Sequence, residues 1–158
     1  MRTLLTGGTG FIGSHTTVSL IEAGHEVVIC DNLCNSSTKS LDAIKTITGT
    51  RPRFYESDIR DKAAMLSILA ENGIEAAIHF AGLKAVAESC AKPLAYYDNN
   101  ISGTVTLLEA MQETGCRTLI FSSSSTVYGT PQQLPLTEER PVGGVTNRDG
   151  GTKLLRER

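Results

Sequence analysis

Short runs of Leu, Val, Ile and Ala alternate along the chain with longer amphipathic segments. The runs predict strands near 2–6, 26–31, 52–56, 75–80 and 117–122, and the segments predict helices near 12–23, 39–48, 61–71 and 93–114. Uninterrupted apolar strands separated by helices argue for an α/β fold, a doubly wound parallel sheet covered on both faces, with ligand groups at the carboxyl ends of its strands. Asp61 is placed to cap its helix, and Pro93 suits a first helical turn, where its missing N–H is not needed. The polar, proline-bearing stretch from Gly129 to Asn147 reads as a surface loop over the sheet edge. A further helical segment, Thr152 to Arg158, is cut off in its middle, whereas a fold of this kind normally needs at least one more strand.

The first strand runs directly into Gly7-Gly8-Thr9-Gly10-Phe11-Ile12-Gly13. Gly7 lets the chain turn off the strand, Gly10 lets backbone N–H groups approach a pyrophosphate, and Gly13 lets the next helix pack closely. The helix N-terminus then offers unpaired donors and a partial positive charge to an anion. The second strand ends in Asp31, about 20 residues beyond the glycines, where an acid accepts from the ribose 2′-hydroxyl of NAD and repels the 2′-phosphate of NADP. The cofactor expected is therefore NAD.

Composition narrows the field further. A chain of 158 residues supports one domain with a real core, and a formal net charge of −2 with 20% charged residues gives no basic stripe for nucleic acid or an anionic membrane. There is no membrane-spanning run or signal-peptide pattern, so a cytoplasmic location is expected. Cys30, Cys34, Cys90 and Cys116 lack metal-ligand spacing and read as small buried hydrophobes in a reducing compartment, and no metal is expected. His15 and His79 are expected to pack or to bond locally.

The residues at the strand ends form a series: Asp31-Asn32-Leu33-Cys34-Asn35-Ser36, Asp58-Ile59-Arg60-Asp61, Phe80-Ala81-Gly82-Leu83-Lys84-Ala85-Val86 and Ser122-Ser123-Ser124-Ser125-Thr126-Val127-Tyr128-Gly129. With the glycine loop and Tyr96-Tyr97-Asp98-Asn99-Asn100, this series resembles the UDP-glucose 4-epimerase family of extended short-chain dehydrogenases/reductases along essentially the whole chain. Nucleotide-sugar 4,6-dehydratases carry an Asp-Glu pair where this chain has Ser125-Thr126, which favours epimerisation over elimination.

The resemblance implies a Rossmann domain over residues 1–158, incomplete at its C-terminal end, with the substrate domain absent. It implies that Gly7, Gly10, Phe11, Ile12 and Gly13 face the pyrophosphate. Asp31, Asn32, Leu33, Cys34, Asn35 and Ser36 would hold the adenosine ribose, and Asp58 and Ile59 the adenine. Phe80, Ala81, Gly82, Leu83, Lys84, Asn99, Ser122 and Lys153 would complete the NAD site, and Ser124 would bond the sugar 4-hydroxyl. In the family a tyrosine takes the proton of that hydroxyl while hydride passes from C4 to the nicotinamide, and a lysine four residues on lowers the tyrosine pKa.

Here the family's Asn-Pro-Tyr-Gly-x-Thr/Ser-Lys is written Asn147-Arg148-Asp149-Gly150-Gly151-Thr152-Lys153, so Asp149 stands where the base should be. Lys153 is expected to hold Asp149 ionised, leaving a weak base too short to reach its proton. The two glycines are expected to make this helix start late or fray. The resemblance also implies a UDP-sugar substrate, UDP-glucose or UDP-galactose, whose pocket is mostly built by the family's second half. It implies a homodimer through the helices near 93–114 and from about 149, only the first of which is complete. Two other readings stand beside the enzyme: a non-catalytic NAD-binding module or decayed gene fragment, and a related nucleotide-sugar epimerase acting on another hexose.

Overall fold

The computed structural model describes residues 1–130 and 135–157; residues 131–134 of the expected surface loop, and Arg158, lie outside the described residues. In chain order the elements are β1 (Arg2–Thr6), α1 (Phe11–Glu22), β2 (Glu26–Asp31), α2 (Lys39–Thr48), β3 (Arg53–Glu56), α3 (Lys62–Glu71) and β4 (Ala76–His79). Next come α4 (Val86–Ala91), α5 (Pro93–Tyr96), a widened π turn (Tyr97–Ser102), α6 (Gly103–Thr114), β5 (Thr118–Phe121), a 3-10 turn (Ser125–Tyr128) and α7 (Arg148–Arg156). Among the described residues no helix is long and apolar enough to cross a membrane.

The described residues divide into two compact units. The first, Met1–Ala81 with Val105–Ser122, is a five-stranded parallel sheet in the order β3-β2-β1-β4-β5. Its core arises from the period of two along each strand. Val28 and Cys30 of β2 share one face with Leu4 and Ala77, and pack with Met65, Ile68 and Leu69 of α3 and with Leu107, Ala110 and Met111 of α6. Val27 and Ile29 share the opposite face with Leu5 and Ile78, against Leu41 and Ile44 of α2 and Val18 and Ile21 of α1. Helices thus cover both faces, as the apolar strand runs predict. The Asp61 carboxylate caps α3 by accepting from Ala64 N at 3.0 Å.

The second unit, Gly82–Thr104 with Ser123 onward, departs more from expectation. The single helix foreseen near 93–114 is divided into α5, the π turn and α6, and α4 precedes it. Asp98, Asn99, Asn100 and Ser102 are weak helix formers, and the Asn99 and Asn100 side chains make hydrogen bonds of their own. Helix α7 does not start late: it begins at Arg148 and runs through both glycines. The Asn147 side chain caps it by accepting from Gly150 N at 2.8 Å, and Gly150 is buried against Thr126, so capping and packing offset the glycine propensity.

Close packing predicts opposite outcomes for two helical glycines. A Cβ on Gly13 would lie 2.4 Å from Gly7 O, whereas one on Gly151 would meet nothing nearer than Val145 Cγ2 at 3.9 Å. Gly13→Ala is therefore expected to destabilise the protein by about 2 kcal/mol in urea unfolding, and Gly151→Ala to stabilise it by about 0.5 kcal/mol. Equal effects of the two substitutions would refute this packing account.

Candidate functional site

In the first unit the carboxyl ends of β1, β2 and β4 converge on the glycine loop. Gly7 adopts φ +71°, a left-handed conformation suited to glycine, and a Cβ there would lie 2.6 Å from Ala81 N. Gly7 N donates to Cys30 O at 2.8 Å, and Phe80 N and Ala81 N both donate to Thr6 O at 3.0 Å. Helix α1 then begins with Phe11 and Ile12 exposed, the first 81% so.

Asp31 is buried at the end of β2 and organises the loop beside it. Its Oδ1 accepts from Leu33 N at 3.0 Å and Ser36 Oγ at 2.9 Å, and its Oδ2 from Thr9 N at 3.1 Å. A carboxylate takes about four hydrogen bonds, so Oδ2 keeps capacity for one more donor. Leu33 is the one non-glycine residue with positive φ, at 57°, among the described residues, a strain the Asp31 contacts hold in place. Asn32 Nδ2 donates to Asp58 Oδ2 at 2.9 Å, and the Arg60 guanidinium beside Asp58 holds that carboxyl well below the usual range. Asn35 and Cys34 are exposed, whereas the Ile59 side chain belongs to the core.

The histidines take local partners: His79 Nδ1 meets Thr6 Oγ1 at 2.6 Å, and His15 Nδ1 meets Phe11 O at 2.8 Å. The cysteine expectation needs correction. Cys30 and Cys116 are buried, and burial pushes the Cys30 thiol up to about 12, but Cys34 and Cys90 are exposed, on the loop after β2 and on the short α4. Among the described residues no group of three or more His, Cys, Asp or Glu gathers as a metal site.

The second unit carries Gly82, Leu83, Lys84, Asn99, Ser124, Asp149 and Lys153. Its hub is a residue to which the sequence reading gave no role, Asn100. The fully buried Asn100 amide donates to Leu83 O at 2.9 Å and Thr152 Oγ1 at 3.0 Å, and accepts from Leu83 N at 2.8 Å and Asn99 Nδ2 at 3.0 Å. All four of its hydrogen-bonding positions are used, which ties the Gly82–Lys84 segment, the π turn and α7 together. Its one sequence signal is an asparagine pair inside a predicted helix. Tyr96, also buried, accepts from Ala85 N at 3.0 Å and donates to Ala85 O at 2.9 Å.

Asp149 and Lys153 lie one turn apart on α7, both buried. Asp149 is 3% exposed and its Oδ1 has no hydrogen-bond partner. Burial raises its pKa above the ordinary value, against the pull of Lys153, Arg156 and Lys84, which overturns the expectation that Lys153 holds it low. The cations act on a carboxylate whose Oδ1 is buried without a hydrogen-bond partner. Burial, with Arg156 adding to it, likewise lowers Lys153 to about 8.

A parallel sheet wound on both faces, a glycine loop entering α1 and an acid ending β2 define a Rossmann-type fold. The chain belongs to the family described as GDP-mannose 4,6 dehydratase, whose profile matches residues 4–146. It is 55% identical over 157 residues to a UDP-glucose 4-epimerase of Neisseria meningitidis serogroup B, covering 99% of this chain and 46% of the relative. The figures are the same for a UDP-glucose 4-epimerase of Bacillus subtilis. Among solved structures, the UDP-glucose 4-epimerase of Bifidobacterium longum in complex with NAD+ and UDP superposes with a TM-score of 0.97 at 50% identity, covering 99% of this chain and 47% of that one. The chain thus spans about half the length of the curated relatives it matches.

A lysine with a lowered pKa binds fewer protons folded than unfolded between about 8 and its ordinary 10.5, so its contribution makes stability rise with pH across that window. Unfolding in urea at about pH 7 and about pH 9.5 should show wild type gaining roughly 1 kcal/mol relative to Lys153→Met. A difference that does not change with pH would show that Lys153 titrates normally.

Proposed function

We propose that this chain is the NAD-binding half of a UDP-sugar 4-epimerase in which Asp149 replaces the catalytic base. The observation that carries the reading is the β1–α1 turn beside Asp31: glycines at 7 and 13 let the turn close so tightly that a Cβ would strike Ala81 N or Gly7 O, and the buried Asp31 carboxylate that accepts from Thr9 N has one acceptor position left. These residues fit NAD. Backbone N–H groups at Phe11 and Ile12 would take the pyrophosphate, with Gly7, Gly10 and Gly13 allowing its approach, Asp31 to Ser36 the adenosine ribose, and Asp58 and Ile59 the adenine. Phe80 to Lys84, Asn99, Ser122 and Lys153 would take the nicotinamide side. When bound, NAD would supply the redox partner for C4 of the sugar.

The proton chemistry falls to the chain's own residues. Ser124 presents its hydroxyl to the sugar 4-oxygen, and Lys153, with its lowered pKa, supplies a modest positive charge beside it. Asp149 is left to take the proton. Burial raises the basicity of its carboxylate but does not lengthen it, and a base must come within about 3 Å of the proton it removes. Turnover should therefore be slow, proceeding through water if at all. The same substitution favours the second reading, an NAD-binding module without epimerase activity.

The full-length protein is expected to bind NAD in preference to NADP, with Asp31→Ala weakening NAD about tenfold in calorimetric titration. UDP-galactose turnover should rise at least about 100-fold in Asp149→Tyr. Failure to bind NAD would overturn the cofactor reading. Equal turnover by wild type and Asp149→Tyr would instead overturn the account of the base alone.

A further inference from the structure

Ser124 precedes the 3-10 turn, and its side-chain oxygen accepts twice from one residue: from Thr126 N at 3.3 Å and from Thr126 Oγ1 at 2.9 Å. The first bond is an ordinary cap of the turn. The second is not required for capping, because the half-buried Thr126 hydroxyl spends its proton on Ser124. A hydroxyl oxygen has two acceptor positions and one O–H. With both positions filled, Ser124 is left with a single outward capability, its own proton.

We propose that Thr126 is a positioning residue that makes Ser124 a one-way hydrogen-bond donor toward an acceptor oxygen of the sugar ligand. This rests on the reading of Ser124 as the residue facing the sugar 4-oxygen. A hydroxyl relays a proton only by accepting one while donating another, so Ser124 holds the ligand oxygen without passing its proton on. A carbonyl oxygen, which has lone pairs and no proton, suits this donor as well as an alcohol does. The arrangement therefore holds the sugar at either oxidation level.

Gly150 keeps Thr126 in place. A Cβ at Gly150 would lie 3.0 Å from Thr126 O and 3.1 Å from Thr126 Oγ1, so α7 meets the turn with bare backbone, and a side chain there would press on the hydroxyl that orients Ser124. The Asn147 cap on Gly150 N fixes this first turn of α7. The glycine at 150 thus serves the polarity of Ser124 as well as the packing of the helix.

The test compares Thr126→Val, which keeps the branched shape and loses the hydroxyl, with Thr126→Ser, which keeps the hydroxyl, both in the full-length protein loaded with NAD. Thr126→Val should weaken UDP-glucose binding about tenfold and leave its 4-deoxy analogue unchanged, and Thr126→Ser should restore binding to within about twofold. Equal loss for both ligands, or no rescue by serine, overturns the proposal. Crystal structures of the unliganded variants decide the positioning separately. Ser124 should leave its rotamer in Thr126→Val and keep it in Thr126→Ser, and an unmoved Ser124 in Thr126→Val overturns the proposal. If wild type binds neither nucleotide sugar, the reading of Ser124 as facing the sugar fails, and with it the ligand half of the proposal, while the rotamers still decide the role of Thr126.

Discussion

The contact between the Gly13 backbone and the Gly7 carbonyl sets the geometry of the first unit. With no Cβ at Gly13, α1 can start directly over the end of β1. That start fixes where the loop N–H groups lie, and the loop in turn joins three strand ends through Gly7 N to Cys30 O and through Phe80 N and Ala81 N to Thr6 O. An anion meeting the first turn of α1 finds donors held by the sheet, with little ordering left to do on binding. Asp31 belongs to the same assembly, because its carboxylate reaches back to Thr9 N.

The second unit manages its polarity in two opposite ways. Asn100 is fully buried and fully satisfied, so it stiffens the elements around it with little loss of free energy. Asp149 is nearly as buried, with an oxygen that has no partner and a pKa moved toward neutrality. A buried group without a partner destabilises the fold by about 1–3 kcal/mol. Such groups are retained where chemistry or ligand binding uses them, and this one lies at the position where the resemblance puts the base.

Much of the first unit was legible in the sequence. The period of two in β2, the glycine spacing and the acid at Asp31 are local patterns, and the sheet order and two-faced core emerge from them once helices alternate with strands. The second unit was legible only in outline. A helix was foreseen across 93–114, but the π turn within it exists because Asn100 bonds Leu83 and Thr152, partners 17 and 52 residues away. Helix α7 was expected to fray because propensity counts glycine as a loss, whereas Gly150 is the surface that lets the helix pack on Thr126.

By itself the sequence determined the fold class and the place of the glycine loop between β1 and α1, since each is written in neighbouring residues whose spacing matches the geometry they must adopt. The tertiary structure alone decided the protonation tendencies of Asp149 and Lys153 and the two hydrogen bonds that the Ser124 oxygen accepts from Thr126. Burial and long-range hydrogen bonds are properties of surroundings, and charge pairing read along the chain misses the desolvation that reverses it.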